Sequence, residues 1–206
     1  GVYMKNWSQD LPGLKCPWAD DLADAKRVAV QLGIDFKVFD FEQQYRDKVV
    51  QYMISEYQLG RTPNPDIMCN QEVKFKLFLE TSLEDGADLI ATGHYARVIQ
   101  GKLLKAKDEA KDQTYFLYRV TAEALNKTMF PLGDYTKQEV REMAKARGLY
   151  TASKKESMGV CFVGQVGMRD FLAQYVTTKP GDIIDKSSGQ KIGRHDGAIF
   201  YTIGQR

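Results

Sequence analysis

Cysteine is scarce here: the chain has 206 residues and three cysteines, Cys16, Cys69 and Cys161, with no CxxC pair among them. An odd, widely spaced set excludes a secreted disulfide framework and a CxxC metal site, so no metal centre is expected. Long apolar runs are missing as well. None approaches the roughly 20 residues that span a bilayer, and the opening residues lack the pattern of a signal peptide. The 17 glycines include no Gly-Gly pair, no GxxxxGK and no GxGxxG, so no phosphate-cradling loop stands at a helix start. These absences point to a cytoplasmic protein (mitochondrial if the source is eukaryotic) with no membrane partner. Any ATP-phosphate site is expected outside this sequence.

What is present reads as an ordinary globular protein, with 43% hydrophobic and 27% charged residues. The net charge of +2 is unevenly spread. Five Lys/Arg face eight Asp/Glu between Trp18 and Gln58, whereas seven face three between Thr136 and Arg169. The second, basic stretch suits a polyanion, and a solvated mixed surface is the alternative reading.

The apolar spacing predicts an alternation of strands and helices. Val2-Tyr3-Met4 reads as a strand, Trp18 to Leu32 as a helix, Phe36 to Phe39 as a strand and Tyr45 to Tyr57 as a second amphipathic helix. A third helix from about Asn70 to Glu84 is apolar nearly all round. Ala87 to Thr92 follows as an inner strand, with Gly93-His94 at its C-terminal edge. Such alternation implies βαβ units and a parallel α/β sheet. Thr136-Lys-Gln-Glu139 is a capping box opening another helix, and Phe171-Leu172 with Tyr175-Val176 suggest one more. After Pro180-Gly181 short turn-separated segments, including Ile199 to Ile203, read as the opening strands of a β-rich domain. The expected division is an α/β domain at 1–165 and the start of a β-rich domain at 166–206.

Four segments carry possible chemistry. In Gly60-Arg-Thr-Pro-Asn-Pro-Asp66, two prolines force an extended path into the third helix, leaving Asp66 and Cys69 near its N-terminus. A thiol there meets unpaired N–H groups, which favour thiolate, and Asp66 is placed to handle a proton. The alternative is a capping Asp and a packed Cys. Ser157 to Gly164 places Cys161 in a glycine-flanked apolar strand downstream of Lys154 and Lys155, and an inert buried cysteine is again the alternative. Ala91-Thr-Gly-His-Tyr95 ends a predicted parallel strand, where open α/β sheets bind ligands and Gly93 would admit one close to the backbone. Lys111-Asp-Gln-Thr-Tyr-Phe116 offers a cation, an amide and aromatics suited to RNA. Cys16 lies in an irregular loop with no assigned role.

Together with Met4-Lys-Asn-Trp7, Phe130-Pro-Leu-Gly133, Gly159-Val-Cys-Phe162 and Tyr201-Thr-Ile-Gly-Gln-Arg206, these segments resemble the tRNA-specific 2-thiouridylase family of PP-loop ATPases. The resemblance implies a PP-loop catalytic domain, a small central domain and a C-terminal barrel. It also implies a Ser-Gly-Gly-Val-Asp-Ser phosphate loop just before the strand at Val2, a motif this sequence does not contain. The 206-residue chain alone is therefore expected to be inactive. The implied reaction is ATP- and Mg²⁺-dependent sulfur transfer to C2 of the wobble uridine, through an adenylated uridine and a cysteine persulfide. Cys161 would carry the persulfide delivered by a sulfur-relay or cysteine desulfurase protein, Cys69 would attack it, and Asp66 would be general acid/base. Asn64, Pro65 and Asp66 would contact the base, Met4 and Gly93 the adenosine of ATP, and Lys111, Asp112 and Gln113 the tRNA. A monomer is expected. Another PP-loop adenylating enzyme and a non-catalytic tRNA-binding module are the competing classes.

Overall fold

A computed structural model describes residues 1–9, 16, 18–154, 168–202 and 204. Strand β1 (Val2–Lys5) runs through helix α1 (Trp18–Leu32) into β2 (Lys37–Asp40), and the two strands pair in parallel with Val2 opposite Lys37. Helix α2 covers residues 42–58 as Glu42–Tyr45, a π-helical turn Arg46–Val50, and Gln51–Gln58. Helix α3 covers residues 65–84 as Pro65–Met68, a π-helical stretch Cys69–Phe78, and Leu79–Glu84. Strand β3 (Ile90–Ala91) pairs in parallel with β6 (Thr128–Met129). The crossover between them holds the hairpin β4 (Arg97–Ile99) and β5 (Lys102–Leu104), a 3₁₀ turn Thr114–Phe116 and helix α4 (Ala122–Asn126). Helix α5 (Lys137–Ala146), a 3₁₀ turn Tyr150–Ser153, helix α6 (Met168–Ala173), the antiparallel pair β7 (Gly181–Ile184) and β8 (Lys191–His195), and a last 3₁₀ turn Ala198–Phe200 complete the described chain.

The helices follow from their sequences. Asn64 caps α3, its Oδ1 accepting the Asp66 amide at 3.1 Å, and Pro65 takes the first helical position, where a missing N–H costs nothing. Thr136 and Glu139 close the expected capping box on α5. The core is built mainly by α2 and α3: Tyr45, Val49, Val50 and Met53 meet Val73, Phe75, Phe78 and Leu79, together with Ile90, Leu117 and Phe130. Helix α6 joins this core. Phe171 and Leu172 are fully buried, and the Phe171 ring meets Trp7 edge-on with centroids 6.4 Å apart.

Several expectations need correction. The run at Ala87 to Thr92 is a strand only at Ile90–Ala91 and pairs, among the described residues, on one side alone. Leu89 is 45% exposed, so this strand is not the fully buried inner strand expected. Helix α3 begins at Pro65, earlier than the apolar pattern indicated, because Asn64-Pro65 supplies the cap before the apolar residues start. The segment from Ile199 opens on the 3₁₀ turn Ala198–Phe200 instead of a strand. The strand expected around Cys161 lies outside the described residues. No described helix is long and apolar enough to cross a membrane.

Candidate active site

The proline-framed segment forms one wall of a cavity of about 730 Å³, within the range of small-ligand sites. Asn64, Pro65 and Asp66 line it from the start of α3, Phe116 from the 3₁₀ turn, Arg169 from α6 and Phe200 from the last turn. Burial pushes the Asp66 carboxyl above the usual carboxylate range, with the Lys74 ammonium pulling the other way. An acid so poised can hold a proton and return it, the property general acid–base work requires.

Cys69 sits one turn further along α3, only 4% exposed and part of the core. Its backbone N–H is already bonded into the helix, to the Pro65 and Asp66 carbonyls. The expectation that its thiol meets first-turn N–H groups is therefore corrected: those groups lie upstream, at Asp66. Cys69 instead opens the π-helical stretch of α3, a rare conformation that occurs frequently at functional sites. The next residue, Asn70, is buried and donates from Nδ2 to the Phe116 carbonyl at 3.1 Å, tying α3 to the turn that lines the cavity. Its Oδ1 has no partner among the described residues. Cys161 and Lys155 lie outside the described residues. Lys154, upstream of Cys161 in the sequence, is bound to Asp21 and Asp24 of α1 at 2.8 Å each, and those hydrogen bonds raise its pKa. Cys16 is half-buried, with its Sγ 3.7 Å from the Trp7 carbonyl.

Met4 and Gly93 stand at or just beyond the carboxyl ends of the parallel strands β1 and β3, where α/β sheets place ligands. A Cβ built on the exposed Gly93 would meet only Leu132 Cδ1 at 3.8 Å, so internal packing leaves space beside it. The neighbouring His94 packs between Phe75, tilted at 46°, and Phe130, edge-on, with centroids 5.4 and 6.0 Å away, and its Nδ1 is 2.8 Å from Thr92 Oγ1. Burial, with the Lys74 charge adding to it, lowers its pKa from 6.5 to about 3. The unfolded chain takes up that proton below pH 6.5 and the folded chain only near 3, so stability is lost as pH falls through this window. His94→Phe keeps the ring packing and removes the titration. We expect urea unfolding of the variant to lose on the order of 3 kcal/mol less than wild type across the window; identical slopes would place the acid sensitivity elsewhere.

The loop at Lys111 to Gln113 is zipped to the His94 segment. The Gln113 amide donates to the Tyr95 carbonyl and the Tyr95 amide to Gln113 Oε1, each at 2.9 Å. Burial works against the Asp112 charge, but hydrogen bonds from Thr114 and from the Ala106 amide outweigh it and hold the carboxyl below the usual range. Asp112 and Gln113 thus commit their polar groups to shaping this loop, a use that spacing alone did not reveal. Reading the sequence also missed Arg169 and Phe200 as cavity residues. They come from segments read only as a helix and a strand; the burial of α6 in the core places Arg169, and Phe200 packs against it from the last turn. Among the described residues no group of three His, Cys, Asp or Glu is placed to hold a metal.

Parallel strand pairs joined by helical crossovers, with candidate residues at the strands' carboxyl ends and a cavity at a helix start, define a parallel α/β domain. Residues 1–165 match the family model of the tRNA methyl transferase HUP domain, and residues 169–206 that of the tRNA methyl transferase PRC-barrel domain. The chain belongs to this family. It is 54% identical over 211 residues to the tRNA-specific 2-thiouridylase MnmA of Legionella pneumophila (strain Lens), covering 100% of this chain and 58% of that protein. It is 50% identical over 210 residues to the MnmA of Bacillus thuringiensis (strain Al Hakam), covering 100% of this chain and 56% of that protein. The chain thus spans less than two thirds of the length of these relatives.

Proposed function

We propose that the protein to which this chain belongs transfers sulfur to C2 of the wobble uridine of tRNA, and that residues 1–165 carry the chemistry while 166–206 open the central domain. The observation that supports this most is the cavity at the start of α3, lined by Asn64, Pro65 and Asp66, whose carboxyl pKa is raised by burial. A uridine turned out of its stack would present O2 and N3–H to these groups. The space beside Gly93 and the placement of Met4 suit an adenosine. When bound with Mg²⁺, ATP would supply the activation that turns O2 into a leaving group. Asp66 would take up the proton that the attacking sulfur loses as it bonds C2, and O2 would depart as AMP. Cys161 would carry the sulfur as a persulfide received from a sulfur-relay or cysteine desulfurase protein. The Cys69 thiolate would attack Cys161 Sγ, forming a Cys69–Cys161 disulfide and releasing hydrosulfide to C2. Alternatively, Cys69 would resolve the pair after the persulfide's outer sulfur has itself attacked C2. Lys111, in the loop bonded to the Tyr95 segment, would contact the tRNA.

Nucleoside mass spectrometry tests the reading. Cells lacking the gene should lose 2-thiouridine from tRNA, and the full-length gene should restore it. Restoration by an unrelated adenylating enzyme, or unchanged 2-thiouridine after deletion, would sink it. Asp66→Asn should lower thiolation by roughly 10²–10⁴-fold, the scale of a lost general acid or base. Its stability should move the other way. A carboxyl with a raised folded pKa costs stability as pH climbs from the unfolded value through the folded one, so the neutral amide should leave the protein at least as stable at pH 7.

A further inference from the structure

Two further residues that line this cavity, Arg169 and Phe200, have chemistry of their own. Arg169 stands in the first turn of α6, held in place because Phe171 and Leu172 on the same helix are fully buried. Its guanidinium lies over the Phe200 ring, 5.1 Å from the centroid, and pairs with Asp196. Both side chains of that ion pair are more than half exposed, at 55% and 70%, and a pair so hydrated is close to energy-neutral. The carboxylate can therefore be exchanged for another anion at little cost. Stacking occupies the face of a guanidinium, while its donors lie along the edge in a fork that fits a phosphate as well as a carboxylate. Phe116 lines the same cavity as a second aromatic ring. An amide, an acid, two aromatic rings and an exchangeable arginine lining one cavity offer the groups that hold a base with its phosphate.

We infer that Arg169 and Phe200 are the second jaw of this cavity and bind one nucleotide of single-stranded RNA. Phe200 and Phe116 flank the base, and Arg169 leaves Asp196 to pair with the adjacent phosphate. The inference rests on the tRNA reading above and adds residues which that reading does not use. It makes Arg169 a binding and positioning residue with an electrostatic signature.

The test measures binding of an anticodon stem-loop RNA with a wobble uridine to the full-length protein across a salt series. Arg169→Gln should weaken binding roughly tenfold at low salt and reduce the slope of log K against log salt by about one, while leaving the melting temperature unchanged. Arg169→Lys should retain the slope. Phe200→Ala should weaken binding at every salt concentration without changing the slope, since stacking carries no counterion release. Asp196→Asn, which removes the competitor, should tighten binding. Wild-type affinity and slope in Arg169→Gln would overturn the inference while leaving the tRNA reading intact. Failure of the unmodified protein to bind the stem-loop at all would overturn both.

Discussion

Cys69→Ala and Cys161→Ser should each abolish thiolation in the full-length protein, a loss of three orders of magnitude or more, while tRNA binding stays within a few-fold. Cys16→Ser should leave activity nearly unchanged. The expectation follows from exchange chemistry: a thiolate must attack a sulfur held by a second cysteine, and neither an alanine nor a hydroxyl can replace either partner. Cys69 needs the alanine variant because it is buried in the core, where an added hydroxyl could confuse a folding defect with a chemical one. Alanine leaves an apolar side chain and a small cavity, so the melting temperature should fall only modestly. Asp66, lining the cavity, and Cys69, buried one turn behind it, imply that the thiol is reached only when the start of α3 or its covering groups shift. A Cys69–Cys161 disulfide should then accumulate on mild oxidation in the presence of tRNA, since bridging requires Cα atoms roughly 4.4–6.8 Å apart. Full thiolation by either single variant would rule out the cysteine pair.

How much of this was legible in the sequence depends on the range of the interactions involved. Helix α1 falls on Trp18–Leu32 as its spacing indicated, and the Thr136–Glu139 capping box formed, because both are set within a few residues. The extended entry to α3 was equally local, fixed by the prolines, whereas its cap was not read correctly: Asn64, and not Asp66, caps the helix. The length of β3 was not legible. Its apolar run matches a buried strand, but pairing partners and exposure are decided by segments far along the chain, and Leu89 ends up half-exposed. The environment of Cys69 was misjudged for a related reason. The helix began earlier than the apolar pattern suggested, moving the thiol from the open first turn into the ladder. The cavity's second wall was least legible of all. Arg169 and Phe200 gain their position through tertiary contacts with no local signature, α6 packing into the core and the last turn meeting Arg169.

Gly133→Ala is expected to be the most damaging single-methyl change, and the reason is steric. In the turn after β6, the Gly133 amide donates to the Phe130 carbonyl at 3.1 Å, and its own carbonyl accepts from the Lys107 amide at 2.8 Å. These bonds press the glycine against the start of β4. An added Cβ would lie 2.0 Å from the Ala96 carbonyl oxygen and 2.6 Å from Arg97 Cγ. Ala96 is completely buried, so its backbone has nowhere to retreat. Relief requires the turn to move, and Phe130 moves with it, disturbing the ring that packs edge-on against Phe75 and His94. Overpacking against rigid backbone should cost about 3 kcal/mol or more, a drop in melting temperature of roughly 6–12 °C for a chain of this size. Gly93→Ala is the matched comparison in the same region. Its Cβ would meet only Leu132 Cδ1 at 3.8 Å, so the melting temperature should shift by no more than about 2 °C. If ATP approaches the backbone there, Gly93→Ala should instead raise the KM for ATP while Gly133→Ala acts through stability. Equal melting temperatures for Gly133→Ala and the unmodified protein would show that β4 and the Phe130 turn can separate without cost. An unchanged KM for ATP in Gly93→Ala would remove Gly93 from the adenosine site.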